Sequence, residues 1–241
     1  MKQTKNQGLE IEERRTKLKA LHGDQKTVFL HPAFGPNTYA QVGEAITQDG
    51  LARPTMADTT DLVYAAFKSE NSYSQEIKKL MRDRWLWGFT GNLYVPQEGV
   101  YVQDNPQIRK GMPFMEKSEL VRKLEVQDPS VRFVPFGFPM GEMSPEDLAT
   151  NTYVIALAGE EGAEKLGEVA TKFRNKLYLY SFTSVDEPLT RVSALNSDWD
   201  DVHRLSVSGN IRGDVRDGYA FGVLDKTGEA SRTTKSKEKT Q

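Results

Sequence analysis

Cysteine is missing altogether, and histidine occurs only three times in 241 residues. No disulfide, thiolate nucleophile or Cys-ligated zinc can be built from this chain, and imidazole chemistry is confined to a few positions. Long apolar runs are missing too. Nothing approaches the roughly 20 residues that a helix needs to cross a bilayer. The opening stretch, MKQTKNQGLEIEERRTK, lacks the apolar segment of a secretory signal. A cytoplasmic setting without membrane contact is therefore the expectation. No Gly-x-Ser-x-Gly motif provides a nucleophile for a Ser-His-Asp arrangement, and neither a repeat nor a Pro/Gly/Ser-rich linker divides the body.

What is present is ordinary for a soluble domain: 37% hydrophobic and 27% charged residues, enough apolar material for one substantial core. The net charge of −2 hides a split. Residues 1–27 carry seven Lys or Arg against four acids, and residues 226–241 carry five against two, so the body between them is acidic. Basic ends on an acidic body favour solvated tails over a nucleic-acid grip, because the body repels a phosphate backbone. Residues 1–7 and 226–241 are expected to be disordered tails, the latter for want of any large apolar side chain. Residues 8–225 then form a single α+β domain.

Within it the N-terminal third reads as mainly helical. A charged helix is expected over 8–21, anchored by Leu9, Ile11, Leu18 and Leu21. A short strand at 28–30 leads into a loop, His31-Pro32-Ala33-Phe34-Gly35-Pro36-Asn37, and a helix from Thr38 burying Val42, Ala45 and Ile46. Thr55 and Asp58 mark the next helix start as N-cap and N3. A third helix is expected over 74–84. The middle turns extended: 85–89 and 92–95, the latter joined to 100–102 by a Pro96–Gly99 turn as a hairpin. A short helix at 116–124, a strand at 131–136 and a helix opening at Ser144-Pro145 follow.

The stretch 153–182 reads as a central β-α-β unit: an apolar run at 153–158, an amphipathic segment from Ala163 to Phe173, and a strand at 177–182. Its turn, Gly159-Glu160-Glu161-Gly162, puts two carboxylates where a phosphate-binding loop would offer bare amides. That disfavours a nucleotide. Antiparallel strands are expected near the C-terminus at 190–195, 204–207 and 219–223, with Leu205/Val207 and Tyr219/Phe221/Val223 as inward sets. Gly209-Asn210 and Asp217-Gly218 read as turn dipeptides between them. The fold class is thus α+β, one mixed sheet with helices.

Four constellations could carry function. Asp198, Asp200, Asp201 and His203 offer oxygen and imidazole ligands suited to a divalent cation such as Mg²⁺ or Mn²⁺, although the spacing is not that of an EF-hand. No other cofactor is expected. His31, at a predicted strand end, could act as a general base with Glu160 or Glu161, while Asn37, Thr38 and Tyr39 supply donors beside it. The Lys78–Phe89 segment interleaves basic and aromatic residues, the chemistry of a single-strand platform, yet a half-buried strand needs the same alternation. Phe133 is expected in the core, whereas Phe136 and Phe138, past Pro135, could wall an apolar pocket or form a patch for a protein partner, with packing in the core or loop the favoured alternative. The favoured function is a non-catalytic binding or interaction protein. The alternatives are a metal-assisted hydrolase with its site at the carboxyl edge of the sheet, and a nucleic-acid-associated protein.

Overall fold

The computed structural model describes residues 16–22, 25–174, 177–197 and 203–224. The expected tails at 1–7 and 226–241 lie outside the described residues. The rest forms a single α+β domain whose strands are mostly gathered into one mixed sheet of ten.

That sheet is built around β3 (Trp85–Val95), every residue of which is buried. β12 (Gly218–Val223) pairs with its first residues in parallel, and β10 (Leu189–Asn196) runs antiparallel along its length. Outward from β12 lie β2 (Gln25–Asn37) and the edge strand β1 (Thr16–His22). On the other side, β11 (Ser206–Ile211) is followed by β9 (Leu177–Tyr180) and β8 (Gly141–Met143). The expected hairpin is present as β3 with β4 (Gly99–Asp104), and β7 (Val131–Pro135) pairs with β4. A separate two-stranded hairpin, β5 (Gln107–Arg109) with β6 (Met112–Phe114), was not anticipated.

The helices follow their caps. Thr38 caps α1 (Tyr39–Gln48), and Thr55 with Asp58 forms a reciprocal capping box at α2 (Met56–Phe67). Asn71 caps α3 (Ser72–Asp83), and α4 (Lys117–Glu125) covers the β4 end of the sheet. Ser144, Pro145 and Asp147 open α5 (Pro145–Ala149). The strand period of β3 then separates the layers: Trp87 and Phe89 pack on Tyr39 of α1, while Leu86 and Tyr94 join the core beneath α2, α3 and the last helix.

Four sequence expectations fail, each for a physical reason. The described part of the expected 8–21 helix is strand β1, where exposed Lys17 and Lys19 alternate with Leu18 and buried Ala20 against β2. A period of two outweighed weak helical anchors. The loop expected at 31–37 is the continuation of β2, whose pairing with β12 shifts register twice to accommodate it.

The β-α-β unit at 153–182 is not formed. Residues 153–158 belong to α6 (Thr152–Ala170), capped by Asn151 and broken at Gly159, whose φ of 79° is left-handed. A short, fully buried apolar run carries no periodicity that separates strand from helix. Here the Asn151 side chain, accepting from the amides of Tyr153 and Val154, decides for helix. Glu160 and Glu161 therefore begin the second half of a broken helix instead of following a strand.

The fourth correction concerns glycines. Gly209 lies inside β11 and Gly218 starts β12. A Cβ on Gly209 would overlap the Tyr153 hydroxyl, and one on Gly218 the Trp87 indole nitrogen. They mark close approach, not chain reversal.

Candidate recognition surface at the loop end of the sheet

Beneath the loops that follow β9 and β11 lies a buried, uncharged hydrogen-bond network. Tyr94 of β3 places its hydroxyl 2.8 Å from that of Tyr153 on α6, 2.9 Å from Ser181 Oγ and 2.9 Å from the Gly209 carbonyl. Tyr153 donates to Asn92 Oδ1 at 2.9 Å, and Asn92 Nδ2 donates to Ser193 Oγ at 2.8 Å. Tyr153 donates its proton to Asn92 and Asn92 donates to Ser193, so the single Tyr94 proton is divided between the Gly209 carbonyl and the Tyr153 oxygen while Ser181 can donate to Tyr94. Burial pushes the Tyr94 phenol up to about 12, and it lifts Tyr153 well above the usual tyrosine range. Both remain neutral hydroxyls at physiological pH, and the network joins α6 to three strands through uncharged hydrogen bonds.

Phe182 closes the top of this network, edge-on to Tyr94 at 5.0 Å between ring centres. Phe138 stacks on Tyr153 from the other side at 4.7 Å. The Asn210 side chain donates to the Ser181 carbonyl at 3.2 Å, fastening the 182–188 loop to β11. Above Phe182 sits the half-buried guanidinium of Arg191, 5.8 Å from the ring centre. Arg191 pairs with Asn92 on one side. On the other, the β10–β11 register ends at the pair Val192–Ile211, and the residues that follow it outward are Arg191 and Arg212. Burial first, and Arg212 second, pull the Arg191 pKa below its ordinary value. Arg191 Nη1 donates to the Thr190 carbonyl at 2.9 Å, and Arg212 bonds Asp214 at 2.6 Å. The loop side chains around them, including Thr183, Ser184, Asp186, Glu187 and Arg216, are exposed.

The residues singled out in the sequence are distributed otherwise. His31 Nε2 lies 2.8 Å from Glu76 of α3 and its ring packs edge-on against Tyr73, so its carboxylate partner is neither Glu160 nor Glu161. Glu161 instead holds Lys165 at 2.7 Å, and Lys165 reaches buried Asp61 at 2.6 Å. Glu160 is exposed on α6. Asn37 accepts from the Thr38 amide at 2.9 Å and Thr38 caps α1, the structural duties of a helix start. The Tyr39 ring is fully buried, and its hydroxyl makes no hydrogen bond among the described residues. Asp198, Asp200 and Asp201 lie outside the described residues; His203 is exposed. Among the described residues no three His, Asp or Glu side chains gather as metal ligands. Trp85, Trp87 and Phe89 are buried in the core, leaving no face for stacking bases.

In the aromatic segment the expectation of a core Phe133 fails. Phe133 is 38% exposed, resting on Tyr101, while Phe136 and Phe138 are half-buried against the core. Of the sequence candidates among the described residues, Phe138 alone touches the network. Tyr94, Tyr153, Asn92, Ser193, Arg191 and Arg212 were not anticipated. The available signal was polar residues inside apolar runs: Asn92 between Gly91 and Leu93, Ser193 between Val192 and Ala194.

Neither a protein-family model nor a curated protein matches the sequence. A solved structure is similar in fold. It is described as the accommodation of massive sequence variation in Nanoarchaeota by the C-type lectin fold, and it superposes with a TM-score of 0.56. The match covers 88% of this chain and 99% of that one at 16% identity. The domain therefore has a C-type lectin-like fold.

Proposed function

We propose that this chain is a recognition protein that binds its ligand with the side chains displayed at the loop end of the sheet, and performs no chemistry on it. The observation that carries this reading is the division of labour at that end. A buried network fixes the backbone from below, and the exposed side chains of 183–187 and 212–216 are left to face a ligand. The solved structure of the same fold is described as accommodating massive sequence variation. Such accommodation requires a framework whose stability does not depend on its displayed residues, and the arrangement here has that form.

Arrays of immobilised proteins and small molecules test the proposal. The wild-type chain and a variant carrying Asp186→Ala, Glu187→Ala and Arg216→Ala are compared after circular dichroism establishes equal folding. Hits that weaken at least tenfold in the variant are expected. Hits indifferent to the three substitutions, or turnover of a bound small molecule, overturn it.

A further inference from the structure

Arg191 and Arg212 place two cations directly above the uncharged buried network. Arg191 of β10 and Arg212, the residue after β11, flank the outermost Val192–Ile211 pair of the ladder and act on each other's charge, and the Arg191 guanidinium lies 5.8 Å from the centre of the Phe182 ring. Its hydrogen bonding among the described residues leaves most of its five N–H donors unused, since only Nη1 is engaged, by the neighbouring Thr190 carbonyl. We propose that Arg191 and Arg212 together form a carboxylate-binding site, taking an acidic side chain or a terminal carboxylate of whatever ligand the loop end recognises. The inference rests on the recognition reading above and specifies its chemistry.

Three features select a carboxylate. A guanidinium fork matches two carboxylate oxygens in one plane, and Arg191 carries that fork beside the Phe182 ring. A shared anion relieves the repulsion between the two cations. The chain already supplies a stand-in: Asp214 docks a carboxylate on Arg212, with the two side chains 62% and 71% exposed. A pair so open to water is weak and exchangeable. The acids Asp186 and Glu187 in the neighbouring loop argue against general attraction of anions, so affinity has to come from the fork geometry.

The test is an NMR titration of the full chain at low salt, following the arginine Nε–H resonances. The probes are N-acetyl-Ala-Glu-Ala-amide, N-acetyl-Ala-Ala-Ala with a free C-terminus, and inorganic phosphate. Saturable shifts of Arg191 and Arg212 with one or both peptides are expected, and the responding peptide identifies the carboxylate source. Affinity should fall about tenfold or more in Arg191→Gln and severalfold in Arg191→Lys, which keeps the charge but loses the fork. Asp214→Asn should bind severalfold more tightly, because the internal competitor is gone; this arm stands even if substitution at Arg191 impairs folding. Shifts that do not saturate, equal affinity in Arg191→Gln, unchanged or weaker affinity in Asp214→Asn, or binding of phosphate alone would each overturn the carboxylate site. Loop-dependent array hits without peptide binding remove this inference and leave the recognition reading. Peptide binding with loop-independent hits does the reverse.

Discussion

The network under the loop end and the loop surface above it are both polar, and they hold their polar groups by opposite means. Below, each hydroxyl and amide of Tyr94, Tyr153, Asn92 and Ser193 is bonded to a partner distant in sequence, and all four residues are fully buried. Above, the hydrogen-bond partners among the described residues are near neighbours, Thr190 for Arg191 and Asp214 for Arg212. A buried polar group deprived of its partner loses the full cost of desolvation, whereas an exposed one regains water. Rigidity and tolerance therefore meet at a single ring, that of Phe182.

The sharpest way to break this contrast is at Gly209. A methyl group there would meet the Tyr153 hydroxyl, forcing the phenol out of place along with its bonds to Tyr94 and Asn92. Gly209→Ala should cost about 3 kcal/mol, lowering the melting temperature by roughly 6–12 °C for a chain of this size. Calorimetry showing a loss of less than about 1 kcal/mol would mean that the network is loose.

A smaller effect is expected from Tyr153→Phe, which keeps the ring on Phe138 but leaves Asn92 Oδ1 without a donor. About 2 kcal/mol should be lost. The alkaline limb of the stability curve gives the sign. A tyrosine whose folded pKa is raised contributes stability that is complete below the unfolded value near 10 and is lost as pH climbs toward the folded value. For Tyr94 that window runs from the ordinary value of 10.0 to about 12. Stability should fall across this interval, less steeply in Tyr153→Phe because one of the raised groups is gone. Phenolate absorbance at alkaline pH should show both tyrosines titrating only as the chain unfolds; early, reversible ionisation of either would show water reaching the network.

These contrasts also explain how much was legible in the chain. Helix starts were, because a cap is a local device: Thr38, Thr55 with Asp58, and Ser144 with Pro145 all do in the structure what their positions imply. So was the β3–β4 hairpin, fixed by Pro96 to Gly99. The apolar run at 153–158 was not, since burial on all sides erases the period that distinguishes strand from helix, and a side chain two residues upstream settles the matter. Gly209 and Gly218 read as turns because the clash that requires glycine comes from Tyr153 and Trp87, which are remote in sequence. The candidate site was hidden for the same reason. Tyr94 and Tyr153 are ordinary core aromatics in one dimension and become a network only when α6 crosses β3.

The smallest predicted effect bears most directly on the proposed function. Thr183, Ser184, Asp186 and Glu187 are exposed and lie between Phe182, which is anchored on Tyr94, and the start of β10. Replacing all four together with alanine should change stability by less than about 1 kcal/mol, because surface positions without buried partners usually contribute within about 0.5 kcal/mol each and here in both directions. The backbone they ride on is held at Ser181 by Tyr94 and Asn210, neither of which the substitutions touch. Urea titration of the quadruple variant measures this directly, with an unchanged m-value as the check that the folded state is the same. A loss comparable to that of Tyr153→Phe would place the loop side chains within the framework and leave no separate layer free for recognition.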